Sequence, residues 1–77
     1  MKVDETLDCL GLLCPLPIAQ TASKFKSLPK GQTLEVLSDD MGIKSDMPAW
    51  CRTTGNEFMG IEEEDGRYKV YIKKTQD

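Results

Sequence analysis

Pro15 and Pro17, placed directly after Cys14, constrain the fold of this 77-residue chain more than any other feature. Proline fixes φ at about −65° and offers no N–H, so it is tolerated in the first turn of a helix and disruptive further in. The residues that follow carry a helical apolar pattern, so the two prolines predict a helix start there, with Cys14 at or beside the N-cap. A cysteine at that position faces unpaired N–H groups and the positive end of the helix dipole, which favours thiolate over thiol. The first expectation is therefore a reactive thiol held at a helix start.

The surrounding pattern supplies the other elements. Residues 2–8 alternate, with Val3, Glu5 and Leu7 on one side and Asp4, Thr6 and Asp8 on the other, which predicts a strand. Gly11 then turns the chain. From residue 15 to about 28, Ile18, Ala22 and Phe25 recur at i, i+4 and i+7, Ala19 widens the stripe, and Lys24 and Lys26 lie off it. Pro29 and Gly31 end that helix, residues 33–38 read as a second strand, and Asp39 and Asp40 close it. Over 42–54 the set Ile43, Met47, Trp50 and Cys51 again has helical spacing, and Gly55 suits a left-handed C-terminal residue. Pro48 leaves two readings of this helix: Ser45 caps a short helix with Pro48 in its first turn, or a helix from Gly42 kinks ahead of Pro48. Residues 58–63 and 67–74 are strand-like, the second alternating Tyr68, Val70 and Ile72 against Lys69, Tyr71 and Lys73, with Asp65-Gly66 as the hairpin turn.

The order β-α-β-α-β-β predicts a single-domain two-layer α/β sandwich over 1–77, in which a mixed four-stranded sheet carries both helices on one face. The strand-helix-strand start implies a right-handed crossover and a parallel first pair, and the terminal hairpin an antiparallel one. A domain of this size buries only about 60% of its unfolded surface, which leaves no room for a deep enclosed site.

Composition narrows the chemistry. A net charge of −3, without a basic cluster or a set of stacking aromatics, argues against direct nucleic-acid binding. Three cysteines, an odd number, do not suit a secreted disulfide framework, and the lack of any histidine leaves no structural zinc set and no Cys-His catalytic pair. Activation of a cysteine must then come from a helix terminus, a nearby lysine or arginine, or a partner protein. No metal or organic cofactor is implied. The short apolar runs and the Met-Lys-Val-Asp-Glu-Thr start lack a membrane span or a signal-peptide core, so a cytoplasmic protein away from membranes is expected.

The block Leu7-Asp8-Cys9-Leu10-Gly11-Leu12-Leu13-Cys14-Pro15-Leu16-Pro17 resembles the Leu-Asp-x-x-Gly-x-x-Cys-Pro-x-Pro signature of the TusA/SirA-like sulfur carriers. The likeness continues through Asp39-Asp40 and the Asp46-Met47-Pro48-Ala49-Trp50-Cys51 block, so it covers essentially the whole chain. The resemblance implies a fold similar to the C-terminal domain of bacterial translation initiation factor 3. It also implies a persulfide relay by a carrier rather than a stand-alone enzyme, and a monomer is expected. Cys14 would accept sulfane sulfur from a cysteine desulfurase or a rhodanese-like donor and pass it to an acceptor protein, with Asp8, Gly11, Pro15 and Pro17 shaping its loop. Uses across that family include tRNA thiolation, sulfur oxidation, thiosulfate use and cofactor assembly.

Each residue also has a plainer reading. Cys14 would then be a small apolar filler at a strand-to-helix junction. Cys9 is either a strand-end residue or a second thiol within disulfide reach of Cys14, which would make the chain a thiol-disulfide redox module. Cys51, beside Trp50 on the apolar stripe, reads as a core thiol. Asp8 reads as a turn anchor whose charge does not favour a thiolate. Asp39 and Asp40 should diverge on leaving their strand, which suits helix capping or partner contact better than paired catalysis. Lys24, Lys26, Lys30, Lys44 and Arg52 read as a solvated helical face. A non-catalytic regulatory domain that binds a partner is the remaining alternative, and it expects Cys14→Ser to be silent.

Overall fold

The computed structural model describes residues 2–76. Its frame is the parallel pairing of β1 (Glu5–Asp8) with β2 (Thr33–Ser38), which runs from Glu5 opposite Leu34 to Asp8 opposite Leu37. Helix α1 (Leu16–Phe25) makes the crossover between them. After β2 come α2 (Ile43–Thr54) and the antiparallel hairpin of β3 (Glu57–Glu64) and β4 (Arg67–Lys73). β4 docks against β2, giving the spatial order β1-β2-β4-β3 in one mixed sheet. The expected element order, parallel start and antiparallel end are therefore all present.

Strand alternation explains which sheet face carries the helices. Leu34, Val36 and Ser38 of β2 and Tyr68, Val70 and Ile72 of β4 are buried, and they join Phe25, Leu28, Ile43, Met47 and Cys51 in one core. Both helices thus cover the same face. Phe25 and Trp50 lock them together edge to face, with ring centroids 5.1 Å apart. On the other face Thr6 donates to Glu35, and Tyr71, opposite Gly60, donates to Glu62.

Several local details differ from the sequence expectation. β1 begins at Glu5 and not at residue 2. α1 ends at Phe25 short of Leu28, where the ammonium of Lys74 binds the Phe25 and Leu28 carbonyls at 2.5 and 2.7 Å and satisfies the helix end. Its buried line runs through Pro17, Thr21 and Phe25, while Ile18 and Ala22 are half-buried and Ala19 is exposed. Thr21 can be buried because its hydroxyl donates to the Pro17 carbonyl at 2.8 Å. In α2 the longer of the two expected helices is present. The helix starts after Gly42 with Pro48 in its interior, and the Ser45 hydroxyl donates to the Gly42 carbonyl without capping anything. Gly55 is left-handed at the end of α2, and Asp65 and Gly66 both take positive φ, 52° and 76°, as a two-residue hairpin turn requires. Among the described residues no helix is long and apolar enough to cross a membrane.

Leu34, fully buried at the middle of the sheet, tests this core. Leu34→Ala should cost about 2–5 kcal/mol in urea unfolding. In a domain this small that lowers the melting temperature by roughly 4–8 °C per kcal/mol. An unchanged midpoint would place Leu34 outside the core.

Candidate functional site

Because β1 and β2 are parallel, the loops leaving their C-terminal ends emerge side by side, and the site is built there. Beyond β1 the Asp8 carboxylate accepts the Leu10 N–H at 2.9 Å, and Gly11 adopts φ 84° to reverse the chain. The second loop then fastens the first. Asp39 accepts the Gly11 N–H on both carboxylate oxygens at 3.1 and 3.2 Å, and Asp40 accepts the Cys14 N–H at 2.7 Å through Oδ2. The other oxygen of Asp40 accepts the Gly42 N–H at 3.0 Å, and the Asp40 N–H donates to the buried Ser38 hydroxyl at 3.1 Å. One carboxylate thereby ties the start of α1 to the start of α2. These bonds hold the Asp40 carboxyl below its ordinary value of 3.8, the Cys14 N–H contributing most and Gly42 next. The stabilisation is present above the ordinary value and is lost as pH falls through the lowered one.

Pro15 is the N-cap of α1, joined to Cys14 by a cis peptide bond, and Pro17 is buried in the first turn. The Cys14 side chain sits on the first turn of α2. A methyl group on Gly42 would lie 3.3 Å from Cys14 Sγ, 3.4 Å from Asp40 Oδ1 and 3.7 Å from Asp46 Oδ2. The thiol and two carboxylates therefore converge where Gly42 has no side chain.

That convergence corrects the expected thiolate. The Cys14 thiol is pushed up to about 12, first by the Asp46 carboxylate facing it, then by partial burial and by the Asp40 carboxylate. Two causes outweigh the helix dipole. The prolines that place Cys14 lack the N–H groups that would stabilise a thiolate, and the N–H of Cys14 itself is taken by Asp40. Cys14 is half-buried and flanked in the chain by exposed Leu13 and Leu16.

The other thiols face inward. Cys9 has no exposed surface, belongs to the core, and donates its N–H to the Leu37 carbonyl at 2.8 Å. Burial, and secondarily Asp8, pushes its thiol up. Cys51 is equally enclosed, and burial raises it to about 11. All three cysteines are free. Of the basic residues, Lys24 pairs with Glu5 at 2.6 Å, and Lys44 pairs with Glu63 at 3.1 Å over the ring of Tyr68.

Asp8, Gly11, Pro15 and Pro17 thus lie in one pinned turn around Cys14, whereas Cys9 turns away from it. Sequence reasoning missed the contacts of Asp39, Asp40, Gly42 and Asp46 with this turn. The available signal was topological: parallel strands deliver the residues after Asp8 and after Ser38 to the same sheet end.

A family model described as Sulfurtransferase TusA matches residues 5–74. The chain belongs to the TusA family. It is 40% identical over 72 residues to the sulfur carrier protein TusA of Allochromatium vinosum, covering 94% of this chain and 95% of that one. To a putative sulfur carrier protein of Halobacterium salinarum it is 43% identical over 75 residues, covering 96% and 93%. A putative sulfur carrier protein of Aquifex aeolicus is 40% identical over 77 residues, but the chain spans only 39% of that protein's length. The crystal structure of a SirA-like protein from Desulfitobacterium hafniense superposes with a TM-score of 0.80 at 22% identity, covering 95% of this chain and all of that one, and confirms the fold.

Because the Asp46 carboxylate opposes ionisation of Cys14, Asp46→Asn should alkylate faster with iodoacetamide near neutral pH. An increase of about tenfold or more corresponds to one unit of thiol acidity. Rates equal to wild type would remove Asp46 from the site.

Proposed function

We propose that this chain is a sulfur carrier in which Cys14 alternates between thiol and persulfide. It takes sulfane sulfur from a donor protein of the cysteine desulfurase or rhodanese-like kind and delivers it to an acceptor protein. The observation that carries this reading is the contrast among the three cysteines. Cys9 and Cys51 are sealed in the core, and Cys14 alone has solvent access, in a turn pinned through the N–H groups of Leu10, Gly11 and Cys14 by the carboxylates of Asp8, Asp39 and Asp40.

The chemistry asked of the chain is small. The Cys14 sulfur attacks the outer sulfur of a donor persulfide, a new S–S bond forms at Cys14, and the donor's S–S bond breaks. The electron pair of the broken bond leaves on the donor sulfur, which takes up the proton that Cys14 gives up. Oxidation state is conserved overall and no cofactor takes part in this scheme. A partly exposed thiol on a fixed turn suits such an exchange, because both partners must approach it in line.

Burial of Cys9 weighs against the redox-module alternative, since a resolving thiol must reach its partner. For a purely regulatory domain nothing in the site would require a cysteine with two carboxylates directed at it.

Intact-mass analysis after incubation with cysteine and a cysteine desulfurase tests the proposal. The expected result is a reductant-labile gain of one sulfur atom, absent in Cys14→Ala and retained in Cys9→Ser. Loading on Cys9 or Cys51, or loading that survives Cys14→Ala, would overturn it.

A further inference from the structure

The two loops around Cys14 carry apolar and acidic side chains and, among the described residues, no lysine or arginine. Leu13 is 71% exposed and Met41, beside Gly42, 69%, with Leu16 and Leu10 also open to solvent. These are four of the five large apolar side chains this exposed among the described residues, and they lie in the two loops that make the site and, for Leu16, at the start of α1. A domain that buries Leu34, Ile43 and Met47 completely leaves such residues outside only at the cost of solvating them. Within this collar the ionised groups at the thiol are the Asp40 and Asp46 carboxylates. The sequence has no Lys or Arg from residue 3 to 23 or from 31 to 43, and Lys44, the next in line, is engaged by Glu63 and Tyr68.

We propose that this collar docks a protein whose contact face is apolar around a lysine or arginine, and that this cation, by pairing with Asp46 and Asp40, frees the Cys14 proton for sulfur transfer. The inference rests on the carrier reading and adds the chemistry of the partner and a gate. At rest the two carboxylates converge with the thiol at Gly42 and oppose its ionisation, so it is a poor nucleophile toward stray electrophiles. When a guanidinium or ammonium group pairs with the carboxylates, the negative charge opposing ionisation of the thiol is offset. Covering the collar with apolar surface lowers the local dielectric and strengthens that exchange. Cys14 then attacks the outer sulfur of the partner's persulfide. Its proton goes to the departing partner thiolate, and the S–S bond broken is replaced by the S–S bond formed. An acidic partner face would have the opposite effect.

The test uses three synthetic peptide persulfides with the same leucine-flanked cysteine and either Lys, Gln or Glu beside it, with sulfur on Cys14 followed by mass. The Lys peptide should load Cys14 at least about tenfold faster than the Glu peptide, the size of a one-unit change in thiol ionisation. The preference should collapse in Asp46→Asn and shrink in Asp40→Asn. It should also fade at about 1 M salt, where screening acts over about 3 Å. Replacing the flanking leucines by serine, or substituting the exposed Leu13→Ser or Met41→Ser, should slow the Lys peptide without altering the melting temperature. Equal rates for all three peptides, or a Lys preference that survives both Asp→Asn variants, would overturn the docking inference while leaving the carrier reading intact. Failure of every peptide to load Cys14 would instead defeat the carrier reading itself.

Discussion

The site depends on one carboxylate. Asp40 accepts the N–H of Cys14 with one oxygen and that of Gly42 with the other, so two helix starts that are distant in sequence become a single rigid corner. Without it, the only side-chain bonds from the described residues to the backbone of the Cys14 turn would be those of Asp8 to Leu10 and Asp39 to Gly11. The sheet makes this possible, because parallel β1 and β2 release their chains on the same side. Architecture brings the carboxylate to the thiol, and the thiol's chemistry follows from that meeting.

The cost of the arrangement is nucleophilicity. A sulfur carrier needs a thiol that reacts on demand, and here the Asp40 carboxylate that fixes the Cys14 backbone also opposes ionisation of its thiol, together with Asp46. Prolines at the N-cap and in the first turn add to this, since they buy a fixed helix start by removing amide donors. The outcome is a thiol quiet in isolation and dependent on its surroundings for activation. For a protein passed between partners, that is a sensible place to keep control.

Much of this was legible in the chain because local signals agreed with the final fold. Val70 and Ile72 alternate with lysines as a half-buried strand must, Asp65-Gly66 carries the left-handed turn, and Pro15 and Pro17 mark the helix start. The block from Leu7 to Pro17 also pointed to the family. What stayed hidden was tertiary. The rotated buried face of α1 follows from Thr21 satisfying its hydroxyl within the helix, and helical spacing alone does not show this. The thiolate expectation failed for the same reason, because a dipole argument made from residues 14–17 cannot see Asp46 arriving from another helix. Cys9 reads as a neighbour of Cys14 in sequence, but the end of β1 directs it into the core.

The central claim is that Cys14 rests as a neutral thiol whose ionisation is opposed by the carboxylates of Asp40 and Asp46. Its most direct test is an NMR titration following the Cβ carbon of Cys14 in the wild-type protein from neutral to strongly alkaline pH. The account predicts that Cys14 remains a thiol well past the ordinary cysteine value of 9.0 and ionises only as the pH nears about 12. A Cys14 that is already thiolate at neutral pH would contradict it.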